Sequence, residues 1–214
     1  MKKKFVIFTL STIFAIIGLN VAKAQPPCPP GTILYNFVFT FPNSPCTFGV
    51  DVCYKCVGAS PEGLVTIQKI TYLNTDPDCF NINAGKIMTE VWNYVSSPEF
   101  YFSLPICEPC KACKPPFLPN SSEWTTITKK IPLCWYIYND HGILQYLPCP
   151  DSPICVTSYN VCYNANTGNY SIWGNVSYTT GGTPTCLYPD PNSPPVIPPT
   201  NTGGDCFRIH TACD

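Results

Sequence analysis

The sequence predicts a mainly β protein made of disulfide-stapled, antiparallel, sandwich-like units, with one short helix and an extended Pro-rich C-terminal arm. Three observations support this fold class. The chain of 214 residues contains 15 cysteines and 25 prolines. Short stretches that alternate apolar and polar residues recur between turn signals, which is typical of half-buried strands. A frame of two cysteines separated by six residues occurs three times, at Cys46–Cys53, Cys155–Cys162 and Cys206–Cys213.

The N-terminus has the three parts of a secretory signal peptide. A basic start (Lys2 to Lys4) precedes an apolar run over residues 5–19, and Ala22 and Ala24 form a small-residue cleavage site. The apolar run is short for a membrane-spanning helix, so a retained anchor is the weaker alternative. We therefore predict a signal peptide over residues 1–24 and no transmembrane segment after its removal. The mature protein is expected to be secreted, in a periplasm or at the outer cell surface.

Charge and cysteine content narrow the class of protein. Cleavage removes four of the 12 basic residues and none of the 13 acidic ones, which leaves a net charge of −5. Nucleic acid is therefore not an expected partner, since its binding needs a basic patch. An odd number of cysteines leaves at least one thiol free, paired between chains or bound to another group. The disulfide candidates are Cys28, Cys46, Cys53, Cys56, Cys79, Cys107, Cys110, Cys113, Cys134, Cys149, Cys155, Cys162, Cys186, Cys206 and Cys213.

The first predicted unit, residues 25–114, combines strands with the single helix. Residues 35–41 and 47–52 alternate apolar and polar side chains, as a half-buried strand does. A helix from about 84 to 96 is predicted because Asn83 is a good N-cap and the apolar residues that follow have helical spacing. Those residues are Ile87, Met88, Val91, Trp92 and Val95.

The second predicted unit, residues 115–187, has the features of a repeat of the first. Cys53 and Cys162 are each followed by tyrosine, and each leads through alternating apolar residues to a further cysteine, Cys79 or Cys186. Two related repeats are therefore expected, since internal similarity of this kind indicates one supersecondary unit used twice. In this unit, residues 139–142 form a turn signal between two apolar runs and predict a hairpin.

The spacing within each frame restricts its disulfides. Residues seven apart on a strand point to opposite faces and lie about 23 Å apart. Bridged cysteines need Cα atoms within about 7 Å of each other. The two cysteines of a frame therefore cannot pair with each other, and each must reach a different neighbour.

Residues 188–214 form the Pro-rich arm, which ends in the third frame. Such segments are extended and semi-rigid. Two arrangements fit: the terminal strand docks on its own chain, or it adds to the sheet of a neighbouring molecule and gives self-association.

Two groups of cysteines have spacings that suit a metal or a redox centre. They are Cys53 and Cys56, and Cys107, Cys110 and Cys113. Zinc is disfavoured because the groups are some 50 residues apart, beyond the spacing of zinc ribbons. An iron–sulfur cluster would need a cysteine where Phe117 stands, and a thioredoxin-like site would need a βαβ context. Asp76 and Asp78 fit a turn better than a calcium site. We expect structural disulfides, no metal and no cofactor.

No catalytic constellation is recognisable. His141 and His210 have no nucleophile pattern around them, so no catalytic residue is assigned and the protein is predicted not to be an enzyme. The composition favours a structural or adhesive role at the cell surface, with self-association or a glycan as possible partner. The alternative is a carbohydrate-binding module, because aromatic rings can stack on sugars. The candidate ligand contacts are Trp124, Trp135 and Trp173.

Overall fold

A computed structural model gives the fold of residues 28–56, 62–74, 76–105, 107, 112–113, 124–190 and 194–214. The fold is mainly β, as predicted. The predicted signal peptide lies outside these described residues. The strands are β1 (Ile33–Thr40), β2 (Thr47–Lys55), β3 (Glu62–Tyr72), β4 (Thr125–Pro132), β5 (Cys134–Asp140), β6 (Ile143–Pro148), β7 (Ile154–Asn164), β8 (Asn169–Thr180) and β9 (Phe207–Arg208). The helices are α1 (Pro77–Phe80), α2 (Ala84–Val95) and α3 (Pro98–Ser103).

The nine strands of the described residues form one forked sheet. Strands β1, β2, β3, β4, β7 and β8 lie side by side in that order. The pair β3–β4 is parallel, and the other strand pairs are antiparallel. Beyond β4, the same edge of β3 pairs with β6 through Ile70 and Thr71, so β6, β5 and β9 form a second branch. The predicted sandwich-like units are not confirmed, because β3 and β4 join both segments into a single sheet.

Helices α2 and α3 pack against one face of this sheet. Alternate residues of β2 (Val50, Val52), β4 (Ile127, Ile131) and β7 are buried with them in one core cluster. The apolar stripe of α2 is fully or almost fully buried in the same cluster, at Ile87, Met88, Val91, Trp92 and Val95. The sheet face without helices is called the outer face below.

Helix α2 agrees with the predicted helix of residues 84–96. The Asn83 side chain accepts hydrogen bonds from the backbone N–H groups of Gly85 (2.9 Å) and Lys86 (3.3 Å), as an N-cap does. Helices α1 and α3 were not expected. They have four and six residues, which is too short for a helical period to show in a sequence.

Strands β5 and β6 form the predicted hairpin. Asp140 pairs with Ile143, which leaves a two-residue loop of His141 and Gly142. Both loop residues have positive φ, 52° and 91°. This is the geometry of a type I′ turn, whose twist matches that of the flanking strands.

Seven disulfides link fourteen cysteines. They are Cys28–Cys53, Cys46–Cys79, Cys56–Cys107, Cys113–Cys162, Cys134–Cys186, Cys149–Cys206 and Cys155–Cys213. None of them joins the two cysteines of one frame, which confirms the geometric prediction. The remaining cysteine, Cys110, lies outside the described residues.

The two predicted repeats are not confirmed. Each frame strand does pair with the strand that follows it, and both pairs contain a register shift. The disulfides differ, however. Cys46 is bonded to Cys79, whereas its counterpart Cys155 is bonded to Cys213, and Cys186 reaches Cys134 instead.

The C-terminal arm docks on its own chain. Strand β9 pairs with β5, and the arm also follows β5 through backbone bonds between Asn139 and both Asn201 (2.6 Å) and Thr202 (3.0 Å). Cys206 and Cys213 are each tied by a disulfide to the body of the protein. The terminal strand is therefore occupied within the chain, and the alternative in which it adds to a neighbour's sheet is not the arrangement observed.

Candidate functional site

The three candidate tryptophans have very different environments. Trp135 is fully buried in β5, and its indole N–H donates to the Pro132 carbonyl at 2.7 Å. It is therefore part of the core, and its ring does not lie at the surface where a ligand would bind. Trp124 is half-buried just before β4. Trp173 lies on β8 and is 52% exposed.

Two further apolar residues share the face of Trp173. The residues opposite Trp173, Val176 and Tyr178 on β7 are Asn160, Ser158 and Val156. Because those three alternate along a regular strand, all three β8 side chains project from the same, outer face. Val176 and Tyr178 are 57% and 51% exposed. We call Trp173, Val176 and Tyr178 the apolar row.

A β-bulge on β8 creates the apolar row. Trp173 and Val176 are three residues apart, so on a regular strand they would point to opposite faces. Gly174 and Asn175 together oppose the single residue Tyr159, which restores the alignment. Gly174 has a φ of +67°, a conformation that costs glycine little and other residues more. Val176 and Tyr178 could not be placed with Trp173 from the sequence, because the bulge is not visible in the alternation pattern.

Polar side chains lie beside the apolar row. The next strand contributes Asn160 and Ser158, and β4 contributes Thr126 and Thr128. The Thr126 hydroxyl donates to the side-chain amide oxygen of Asn160 at 2.7 Å, and the hydroxyls of Thr128 and Ser158 are 2.8 Å apart. The outer face thus combines exposed apolar surface with amide and hydroxyl groups held in fixed positions.

This part of the surface carries no charge. Every residue from 152 to 189 is uncharged, a stretch that includes all of β7 and all of β8. A ligand on the apolar row would therefore meet dispersion contacts and neutral hydrogen-bonding groups. The charged residue that follows along the paired strands is Lys130 on β4, which lies opposite Val156, the β7 partner of Tyr178.

Lys129 is a buried cation on the helix-covered face. Its side chain is 3% exposed, and its ammonium nitrogen lies 4.1 Å from the centre of the Tyr159 ring. Burial lowers the pKa of Lys129 to about 7, and the negative charge of Glu99 raises it only in part. The amine therefore titrates near physiological pH, where its charged and neutral forms are both populated, but its burial keeps it away from a ligand at the surface.

A second polar cluster lies at the C-terminal segment. Tyr188 stacks on His210 with ring centres 4.2 Å apart, and the Arg208 guanidinium lies 4.7 Å from the Tyr188 ring. The Asp214 side chain accepts hydrogen bonds from Tyr188 (2.6 Å) and Arg208 (2.5 Å). Burial raises the pKa of Asp214, but bonds from Tyr188, Thr211 and Arg208 outweigh it and keep the pKa below its usual value.

Two cavities lie in this part of the molecule, and the first of them adjoins the cluster. One, of about 470 Å³, lies between the cluster and the start of α2, where Lys86 and Glu90 place opposite charges. The other, of about 480 Å³, lies under the Pro-rich arm beside Ile137 and Phe207. Asp214 pairs with Arg208, and Glu90 faces the same space as Lys86. The lining of the first cavity therefore favours neither an anionic nor a cationic ligand. The main effect of the cluster is to hold Tyr188 against residues 208–214.

The cysteine groups considered for metal or redox chemistry are engaged in disulfides where they are described. Cys53 and Cys56 pair with Cys28 and Cys107, and Cys113 pairs with Cys162. Within the described ranges, no three His, Cys, Asp or Glu side chains converge as metal ligands. No helix of those ranges is long and apolar enough to cross a membrane.

Comparisons with protein-family models, with curated proteins and with solved structures found no match for this chain.

Proposed function

We propose that this is an exported, non-enzymatic adhesive protein whose contact surface is the apolar row on the outer face of β8. The observation that carries the proposal is the alignment of Trp173, Val176 and Tyr178, each more than half exposed, on one uncharged strand. Exposed apolar patches bordered by polar groups are typical of interaction sites. Seven disulfides fit a protein that works outside the cell.

The shape of the row suits an extended partner. Its cross-strand neighbours Asn160 and Val156 are four residues apart, so the row is about 13 Å long. The sheet beneath it is continuous through β7 and β4. A contact of this kind is flat and open, and it gains its affinity from ring faces and displaced water rather than from an enclosed pocket.

A carbohydrate is the second candidate partner, and the hydroxyl and amide groups beside the row favour it. Sugars present apolar ring faces and hydroxyl edges together. Trp173 and Tyr178 could stack on the former, while Asn160 and Thr126 could bond the latter. Because the surface is uncharged, a neutral polysaccharide is expected to bind better than an anionic one.

A retention assay separates the two candidates. The mature protein is applied to three matrices: an insoluble neutral polysaccharide, an anionic polysaccharide and alkyl-coated beads. Retention on the neutral polysaccharide supports a carbohydrate-binding role. Retention on the alkyl beads alone supports adhesion to apolar surfaces in general. The double substitution W173A/Y178A should reduce retention at least tenfold, which corresponds to about 1.4 kcal/mol.

The matched control uses the opposite edge of the sheet. Leu34 and Val38 on β1 are 47% and 64% exposed, so L34A/V38A truncates two exposed apolar side chains at that edge. This control should bind like the unmodified protein. Equal losses in both variants, or no retention of the unmodified protein on any matrix, would overturn the proposal.

A further inference from the structure

The backbone edge of β8 is not paired with a strand on its second side. Among the described residues, β8 has β7 as its sole strand partner, and the Cys213 sulfur lies 3.3 Å from the Tyr178 backbone oxygen near one end of the strand. It is also the longest strand, with 12 residues. The outward N–H and C=O groups of such an edge are a template for a further strand. This edge lies in the plane of the sheet, whereas the apolar row projects out of that plane.

Strand β8 has one of the usual protections of a sheet edge, the bulge at Gly174 and Asn175, but it has no charged residue and no proline. Proteins commonly guard an exposed edge with charged residues, especially lysine, or with proline. Strand β8 contains neither, and the nearest charged residues in sequence are Asp151 and Asp190.

The charge distribution favours β8 as the place where two copies of the chain would meet. With a net charge of −5 after signal removal, two copies repel each other over most of their surface. Contact is least unfavourable where both copies are uncharged, and residues 152–189 provide such a surface.

The strand directions decide which edges meet. Following the pairs from β1 to β8, these two edge strands run in the same direction. A head-to-tail contact of β8 with β1 of the next copy would therefore be parallel. A two-fold contact of β8 with itself is antiparallel, which is the commoner pairing and closes the assembly. Strand β1 is also shorter, with eight residues, and has Pro30 and Pro42 close to its ends.

We infer that two copies of the protein pair antiparallel through β8 across a two-fold axis, which extends the sheet from one copy into the other. The inference builds on the proposed adhesive role but uses the strand edge instead of its outer face. In the dimer both apolar rows lie on the same face of the extended sheet. Two linked contact sites would bind a repetitive surface more tightly than one, through their high effective concentration.

The experiment measures molar mass against concentration by analytical ultracentrifugation, using the mature chain with Cys110→Ser. That substitution prevents a disulfide through Cys110 from linking chains. A host without N-glycosylation is used, because Asn169 and Asn175 begin Asn-x-Ser sequences on β8. The expected result is a reversible monomer–dimer equilibrium with a dissociation constant in the micromolar range. A monomer at every concentration would overturn the inference.

Charge substitutions locate the interface. Ile172 is 53% exposed and, like Thr179, opposes a β7 residue of the helix-covered face, so I172K/T179K leaves the apolar row intact. Each dimer would then carry four lysines along the junction, and dimerisation should weaken at least 100-fold. The control L34K/V38K puts the same charges on β1 and should still dimerise. Loss of the dimer in the control alone would contradict the assignment to β8.

If I172K/T179K fails to fold, amide hydrogen exchange of the unmodified protein tests the same interface. Protection of β8 amides should rise with protein concentration, while that of β1 amides should not. Unchanged β8 exchange in a dimeric sample would refute the edge contact. The retention assay tests the proposed function separately from the dimer. A monomeric protein that still binds a matrix through Trp173 would refute the dimer but support the adhesive function. A dimeric protein that binds no matrix would refute the adhesive function but support the dimer.

Discussion

At the scale of single residues, Lys129 shows how burial changes chemistry. Its amine lies against the Tyr159 ring in a site that is 3% exposed, and burial lowers its pKa from 10.5 to about 7. Between those two pH values the unfolded chain holds a proton that the folded chain does not. The contribution of Lys129 to the free energy of unfolding therefore increases with pH across this window.

We predict that this dependence disappears in K129M. In the unmodified protein, the contribution of Lys129 should rise by up to about 1.4 kcal/mol per pH unit above pH 7 and stay constant below it. Methionine keeps most of the packing volume and has no proton to lose, so K129M should be the more stable variant at pH 6. Denaturant unfolding of both proteins from pH 6 to 9 checks this. Parallel pH profiles would show that Lys129 titrates normally in the folded state.

At the scale of elements, the bulge of β8 determines which side chains share a face. A Cβ at position 174 would have the Asn160 amide nitrogen at 3.6 Å as its nearest neighbour, which is an ordinary contact. The cost of replacing Gly174 therefore comes from its φ of +67° and not from crowding.

We predict that G174A lowers the free energy of unfolding by about 1–2 kcal/mol and weakens retention through the apolar row. The bulge holds Trp173 and Val176 on one face, so its distortion should misalign them. Asparagine tolerates positive φ better than alanine, and G174N should therefore lie close to the unmodified protein in both stability and retention. Equal effects of the two substitutions would show that the backbone conformation is not the cause.

Elements with purely local signals were predictable from the sequence. Helix α2 follows from the spacing of its apolar residues and from the Asn83 cap, and the β5–β6 hairpin follows from its turn residues. The parallel β3–β4 pair was not predictable, since its partners are some 60 residues apart in the chain and no local pattern records them. Trp135 and Trp173 have similar sequence surroundings. Trp135 is buried because β5 lies between β6 and β9, whereas Trp173 is exposed because β8 is an edge strand.

At the scale of the whole molecule, the disulfides hold the forked sheet together. Their sequence separations run from 25 to 58 residues, so each closes a loop for which the chain-entropy model gives about 3–4 kcal/mol. Two of them fasten the C-terminal arm, and Cys113–Cys162 links the segment after α3 to β7. Geometry predicted that the frames do not close on themselves, but the choice of partners required the fold.

We predict that non-reducing peptide mapping of the mature protein recovers the seven bridges and no peptide pair from within one frame. Cys110 is then the cysteine left over from the odd count. Substituting Cys110 by serine should leave all seven bridges unchanged. A bridge between Cys155 and Cys162, or between Cys46 and Cys53, would contradict the strand assignment of those frames.

The most direct test of the contact surface is tryptophan oxidation of the protein bound to the matrix that retains it best. Trp173 is exposed and should react readily in solution, whereas Trp135 is fully buried and serves as the internal control. We predict that binding slows the oxidation of Trp173 several-fold and leaves Trp135 unreactive throughout. Bound protein in which Trp173 is oxidised as fast as in solution would contradict it.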